Sequence, residues 1–123
     1  MMKREGEMGW NRLLTVDTEA AADFYMQLFN WERRVVKVNN IDYTIFELDG
    51  KKVAGMLKIL PRQMSTIPPN WLSFIVTESL NVTLEKAKAL GAAVVIEPVY
   101  IDELGLVAVI IDPSGAYVGL IEP

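Results

Sequence analysis

The strongest constraint on the fold of this chain is that its pattern is written twice. An offset of 61 residues carries Trp10 onto Trp71, Leu13 onto Phe74, Leu14 onto Ile75 and Asp17 onto Glu78. The same offset carries Phe29-Asn30 onto Leu90-Gly91. Near the end of each half the offset becomes 64, and Val53-Ala54-Gly55-Met56 meets Tyr117-Val118-Gly119-Leu120. One half has a single helix to cover its strands, so neither half can bury both faces of its sheet alone and the two are expected to pair.

Each half reads as one strand, one helix and three further strands. In the first, an apolar strand over 11–16 runs to Asp17 or Thr18, either of which can cap a helix, with Glu19 near the positive end of the helix dipole. Ala21, Phe24, Tyr25, Leu28 and Phe29 recur at helical spacing over 19–29. Strands follow over 32–37, 43–48 and 52–60, separated by the turn signals Asn39-Asn40 and Asp49-Gly50. Pro68-Pro69 marks 61–70 as a linker. The second half opens with a strand over 71–76. Its helix is capped by Ser79 or Glu78, striped by Leu80, Leu84, Ala87 and Leu90, and closed by Gly91. Strands over 93–97, 104–111 and 117–121 complete it, with Asp112-Pro113-Ser114-Gly115 as the last turn and Glu97, Asp102 and Glu103 as a solvated connection. Residues 1–8 read as a flexible charged tail. A single domain over 9–123 then holds module one at 9–60 and module two at 71–123.

Two absent residue types exclude more chemistry than any motif. The 123 residues include no cysteine, hence no disulfide, no thiolate nucleophile and no cysteine zinc site. They also include no histidine, which excludes Ser-His-Asp and Cys-His hydrolases and removes the commonest ligand for zinc, iron, copper and nickel. A metal site would have to be built from carboxylates, which suit magnesium or manganese. Against 12 Lys and Arg stand 16 Asp and Glu, a net charge of −4, so there is no cationic surplus to hold nucleic acid. No apolar run approaches the roughly 20 residues that cross a bilayer, and the start lacks the apolar stretch of a signal peptide. The expectation is a soluble cytoplasmic protein with neither a nucleic-acid nor a membrane partner.

The run Trp10 to Asp17, the segment Ala20 to Tyr25 and the phrase Leu28-Phe29-Asn30-Trp31-Glu32 resemble the vicinal oxygen chelate superfamily, the glyoxalase, bleomycin-resistance and dioxygenase proteins. Pro69-Asn70-Trp71, Ala89-Leu90-Gly91 and Asp112-Pro113-Ser114-Gly115 extend the resemblance through the second half. It implies an α+β fold of two paired βαβββ modules whose mixed sheet curls around a pocket, with the helices outside, and it implies a homodimer. Metal-using members place histidine or glutamate ligands on the first and last strands of each module. The matching positions here are Trp10, Trp71, Gly55 and Gly119, none of which offers a metal a side-chain ligand. No metal or other cofactor is therefore expected.

Strand alternation then groups side chains by face. Trp10, Arg12 and Leu14 fall together, as do Trp71, Ser73 and Ile75, Val53, Gly55 and Leu57, and Tyr117, Gly119 and Ile121. Two indoles opposite two glycines suggest an aromatic-walled pocket, oriented by Arg12, Ser73, Tyr117 and either Tyr43 or Glu47. A guanidinium at its mouth would grip a carboxylate or phosphate. The plainer alternatives are that the tryptophans fill the core, the glycines mark bends and Arg12 pairs with a surface acid; Glu122 reads as a surface residue. Three functions follow. The first is metal-free binding of a small aromatic or amphipathic molecule. The second is a lyase, isomerase or dioxygenase with a carboxylate metal site, or with Glu47 and Tyr117 as acid and base. The third is an interaction protein.

Overall fold

The computed structural model describes residues 3–60 and 68–123, so most of the linker expected over 61–70 lies outside the described residues. The chain forms two compact units. One is Asn11–Trp71; the other joins Leu72–Pro123 to the residues up to Trp10. Each is α+β and carries one helix on a four-stranded mixed arrangement.

In the first unit, β1 (Met8–Thr15), which enters the unit at Asn11, leads to α1 (Thr18–Phe29), then β2 (Glu32–Val38), β3 (Ile41–Leu48) and β4 (Lys51–Lys58). The strands lie in the order β2-β3-β4-β1, antiparallel except for the parallel β1/β4 pair, in which Arg12 stands beside Gly55 and Leu13 beside Met56. The Asp17 carboxylate caps α1 by accepting from the Ala20 N–H at 2.9 Å, and Asn30 ends the helix in a left-handed conformation. Asn39-Asn40 and Asp49-Gly50 all take positive φ, as tight hairpins between right-twisted strands require. Leu13, Ala22, Phe46, Ala54 and Met56 form the core beneath α1. Val53, expected to face away with Gly55, instead packs against this core. The physical reason is a bulge: Phe46 pairs with Ala54 but Glu47 pairs with Lys52, which leaves Val53 as the extra residue. A two-pronged pair ties α1 to β2, with both Arg33 terminal nitrogens 3.0 Å from the Glu19 carboxylate.

In the second unit, β5 (Asn70–Val76) leads to α2 (Leu80–Ala89), then β6 (Ala93–Ile101), β7 (Gly105–Ile111) and β8 (Tyr117–Glu122). The order is β5-β8-β7-β6, with β5 and β8 parallel. Leu80, Leu84, Ala108, Ile110 and Leu120 form its core, with Ile75 packed against them. β6 runs through Glu97 and Pro98 to Ile101, where a solvated connection was expected. Two register shifts accommodate the proline, which cannot donate to a ladder and so sits on this edge strand. Glu122 is also not a free surface acid: its Oε1 accepts from the Leu80 N–H at 2.8 Å, supplementing the Ser79 cap of α2. The charged start is not free along its described part. Gly6 donates to the Val76 carbonyl, Val76 donates to the Glu7 carbonyl, each at 2.9 Å, and the Glu5 carboxylate accepts from the Glu78 N–H at 2.7 Å.

Asp112 organises the turn before β8. Its Oδ1 accepts from the Ser114 N–H and hydroxyl and from the Ala116 N–H at 2.6–3.0 Å, and these bonds, led by the Ser114 hydroxyl, hold its pKa below the ordinary value. A carboxylate depressed on folding stabilises the fold above its unfolded pKa and loses that contribution as pH falls through the folded value. Thermal melts of the wild type and Asp112→Asn should therefore differ at neutral pH and converge in acid. Glu122→Ala should cost about 1 kcal/mol in urea unfolding through loss of the α2 cap.

Candidate functional site: the strand face away from the helices

The β1/β4 register fixes the site in the first unit. Leu13 and Met56 point to α1, so Arg12 and Gly55 share the opposite face. β3 adds Tyr43 and Ile45 to that face, because Ile45 stands beside Gly55 and Phe46 is on the α1 side. Tyr43 is 1% exposed and its phenol lies directly over the Gly55 backbone. A Cβ on Gly55 would fall on the Tyr43 hydroxyl and ring. Glycine is required here by the close approach of an aromatic ring, which takes the volume a Cβ on Gly55 would need.

Arg12 completes this cluster. Burial pulls its pKa below the ordinary value, with an opposing electrostatic contribution from Tyr43, and a guanidinium remains charged under such a shift. Glu47 lies on the same face but is engaged: Arg34 Nε and a terminal nitrogen donate to its Oε2 at 3.2 and 3.1 Å. Arg34 was not anticipated from the sequence. Its place opposite Ile45, diagonal to Glu47 across the β2/β3 pair, is the signal that would have found it.

The second unit repeats this geometry with a ring from a different strand. Phe74 stands beside Gly119 in the parallel β5/β8 pair, and a Cβ on Gly119 would fall on the Phe74 ring. This overturns the expected face assignment of β5. Phe74 belongs to the Gly119 face, while Ile75 packs with Leu120 on the α2 side. Ser73, two residues before Ile75, therefore alternates to the α2 side as well. Trp71 is likewise not on a shared pocket face. It is 41% exposed and leans on α1, its Nε1 donating to the Tyr25 hydroxyl at 3.1 Å, with the rings edge to face. Tyr117 keeps the parity of Gly119 but is 60% exposed, and Trp10 is buried.

The physical cause is a one-residue slip. The parallel registers make Arg12, not Leu13, the counterpart of Phe74, so the repeat offset along the first strands is 62. A slip of one residue moves every strand side chain to the other face. The two caps, Asp17 and Ser79, stand 62 apart and carried this signal in the sequence. With the register corrected, the counterpart of Trp10 is Leu72. The positions where the resemblance implies metal ligands hold Trp10, Leu72, Gly55 and Gly119. An indole N–H, an aliphatic chain and two hydrogens do not fit a divalent ion. Among the described residues, no three acidic side chains gather in a way that could hold a metal ion.

A groove of 620 Å³ opens on the α1 side of the first unit, over Val35, Thr44 and Met56, rimmed by the Arg33–Glu19 and Lys37–Asp42 pairs and by Lys58. None of the nine residues expected to form the site lines it.

Each unit thus holds a βαβββ element with a parallel first/last strand pair and a ring seated on a strand glycine. The sequence profile of the Glyoxalase/Bleomycin resistance protein/Dioxygenase superfamily matches residues 8–120, and the chain belongs to that family. CFP32 of Mycobacterium tuberculosis, a glyoxylase by name, is 31% identical over 119 residues, which cover 95% of this chain and 46% of that protein. The anthracycline biosynthesis protein DauV of Streptomyces sp. strain C5 is 31% identical over 126 residues, covering 90% and 45%. The chain spans about half the length of these curated relatives. In the solved methylmalonyl-CoA epimerase of Mycobacterium tuberculosis, the TM-score is 0.70 at 14% identity, over 100% of this chain and 93% of that one. The hypothetical protein BH1468 of Bacillus halodurans gives 0.72 at 14% identity, over 95% and 94%. At such identities the likeness is one of fold. Among the described residues no helix is long and apolar enough to cross a membrane.

The glycine contacts make a direct test. Gly55→Ala should destabilise the protein by about 1–3 kcal/mol in urea unfolding, because the Tyr43 ring must move from a packed site. Combining it with Tyr43→Leu should recover part of that loss, since the clash and the ring are then removed together.

Proposed function

We propose that this chain binds a small aromatic or amphipathic molecule without a metal, on the strand face of Arg12, Tyr43 and Gly55. The observation that carries the reading is the donor set. The family's ligand positions hold groups with no metal-binding atom, while the same strands present a half-buried guanidinium and a buried phenol. A largely apolar surface with a few fixed polar groups is the usual make-up of a small-molecule site. Trp10, Glu47, Ser73, Trp71, Tyr117 and Gly119 were the other candidates. Of these, Glu47 pairs with Arg34, Trp71 donates to Tyr25 of α1, and Gly119 belongs to the other unit.

The name of CFP32 supports a second reading, an enzyme of the lyase, isomerase or dioxygenase kind. The engaged carboxylate of Glu47 and the exposure of Tyr117 speak against those two as its acid–base pair. Titrating purified protein with an aromatic library while following tryptophan fluorescence, before and after chelation, separates the two. Unchanged quenching after chelation supports metal-free binding; stoichiometric metal whose removal abolishes the response supports the enzyme. We further propose that the protein works as a homodimer in the cytoplasm. Sedimentation should give twice the 13.8 kDa chain mass, and a monomer at micromolar concentration would refute the dimer.

A further inference from the structure

The groove of 620 Å³ on the α1 side of the first unit is a different place from the strand face of Arg12 and Tyr43, and its volume suits a small molecule. The strand registers explain its floor. Val35 stands beside Thr44 and Thr44 beside Met56, so the three form one row across β2, β3 and β4. The helix buries the Met56 end of that row, whereas Val35 is left 50% exposed and Ile41, in the same lining, 43% exposed. The charges around this floor do not balance. Arg33, Lys37 and Lys58 face Glu19 and Asp42. Glu19 is held by Arg33 and Asp42 by Lys37, which leaves the Lys58 ammonium as a surplus cation in a chain of net charge −4.

The second unit closes the equivalent place from within. Gly55 and Gly119 correspond, so Lys58 on β4 corresponds to Glu122 on β8. The caps Asp17 and Ser79 correspond, so Thr18 at the start of α1 corresponds to Leu80 at the start of α2. The Glu122 carboxylate accepts from the Leu80 N–H at 2.8 Å and joins the last strand to the helix start. In the first unit the same corner is made by Thr18 and Lys58, both of which line the groove. The internal carboxylate is gone, and an ammonium stands in its stead.

We propose that this groove binds a small monocarboxylate with an apolar body. The ligand's carboxylate pairs with Lys58 in the corner that Glu122 closes in the second unit, and its apolar part covers Val35, Ile41 and the Thr44–Met56 floor. One surplus ammonium matches one negative charge, and the open apolar side chains match the body. The site is separate from the metal-free binding reading above, which concerns the opposite strand face.

4-Phenylbutyrate and the neutral 4-phenylbutanol share an apolar body and test this by amide chemical shifts of the nitrogen-15-labelled protein. The carboxylate should move the signals of Thr18, Thr44 and Lys58, and should bind about fivefold more tightly than the alcohol. Lys58→Gln should bring the two affinities together. Lys58→Glu, which restores the residue type of the second unit, should abolish carboxylate binding. Lys58 is exposed, so both variants should keep the wild-type spectrum away from the groove. Equal carboxylate affinity in the wild type and either variant would overturn the proposal. Shifts confined to Tyr43 and Gly55 would also overturn it, while leaving the metal-free reading of the opposite face standing. So would the absence of any shift, which the wild type alone reports.

Discussion

The seating of an aromatic ring on a strand glycine is the contact around which each unit is arranged. Tyr43 covers Gly55 and Phe74 covers Gly119, in both cases on the face away from the helix. Glycine interrupts a strand because it supplies no side chain to pack, and a ring laid across it restores the lost apolar contact while shielding the exposed backbone. Since the ring occupies the volume a Cβ would need, the contact also fixes the register of the strands on either side. With Gly55 in place, Arg12 and Ile45 are its neighbours, and Leu13, Phe46 and Met56 are committed to the core beneath α1.

The opposite faces are governed by a different economy. There a helix lies on the strands, and its ends must be satisfied as well as its apolar stripe. Asp17 does this alone for α1, whereas α2 shares the task between Ser79 at its start and Glu122 from the last strand. That second arrangement joins the end of β8 to the start of α2, so the last strand contributes to helix stability as well as to the sheet. The first described residues behave similarly, being tied by backbone bonds to the end of β5 and by Glu5 to the Glu78 N–H.

An internal repeat preserves what packing needs and frees what it does not. Both units keep the glycine, the covering ring and the parallel strand pair, because losing any one of them would open a void or force a clash. The source of the ring is not so constrained. Once Tyr43 supplies it from β3, the position beside Gly55 no longer has to be aromatic, and Arg12 can stand there. A polar group can in this way enter an otherwise apolar face without a cavity being left behind. The chain's departure from the metal-binding members of its family is one of residue type, since indole, aliphatic and glycine positions offer a metal no side-chain ligand.

The order of elements, the two-fold repeat, the hairpin turns at Asn39-Asn40 and Asp49-Gly50 and the family itself were all legible in the sequence, because each depends on local periodicity, turn chemistry or a sustained run of matching residues. The lack of metal-ligating side chains at the expected positions was legible too, being a matter of residue type. Which face each of these side chains occupies was not. Trp71 and Ser73 were grouped with the wrong face, Val53 was displaced by a bulge, and Glu47 proved to be held by Arg34. Strand side chains alternate with a period of two, so a sequence alignment uncertain by one residue leaves their direction undecided. Only the pairing of β1 with β4 and of β5 with β8 removes that uncertainty, and with it Arg12 and Phe74 become equivalent.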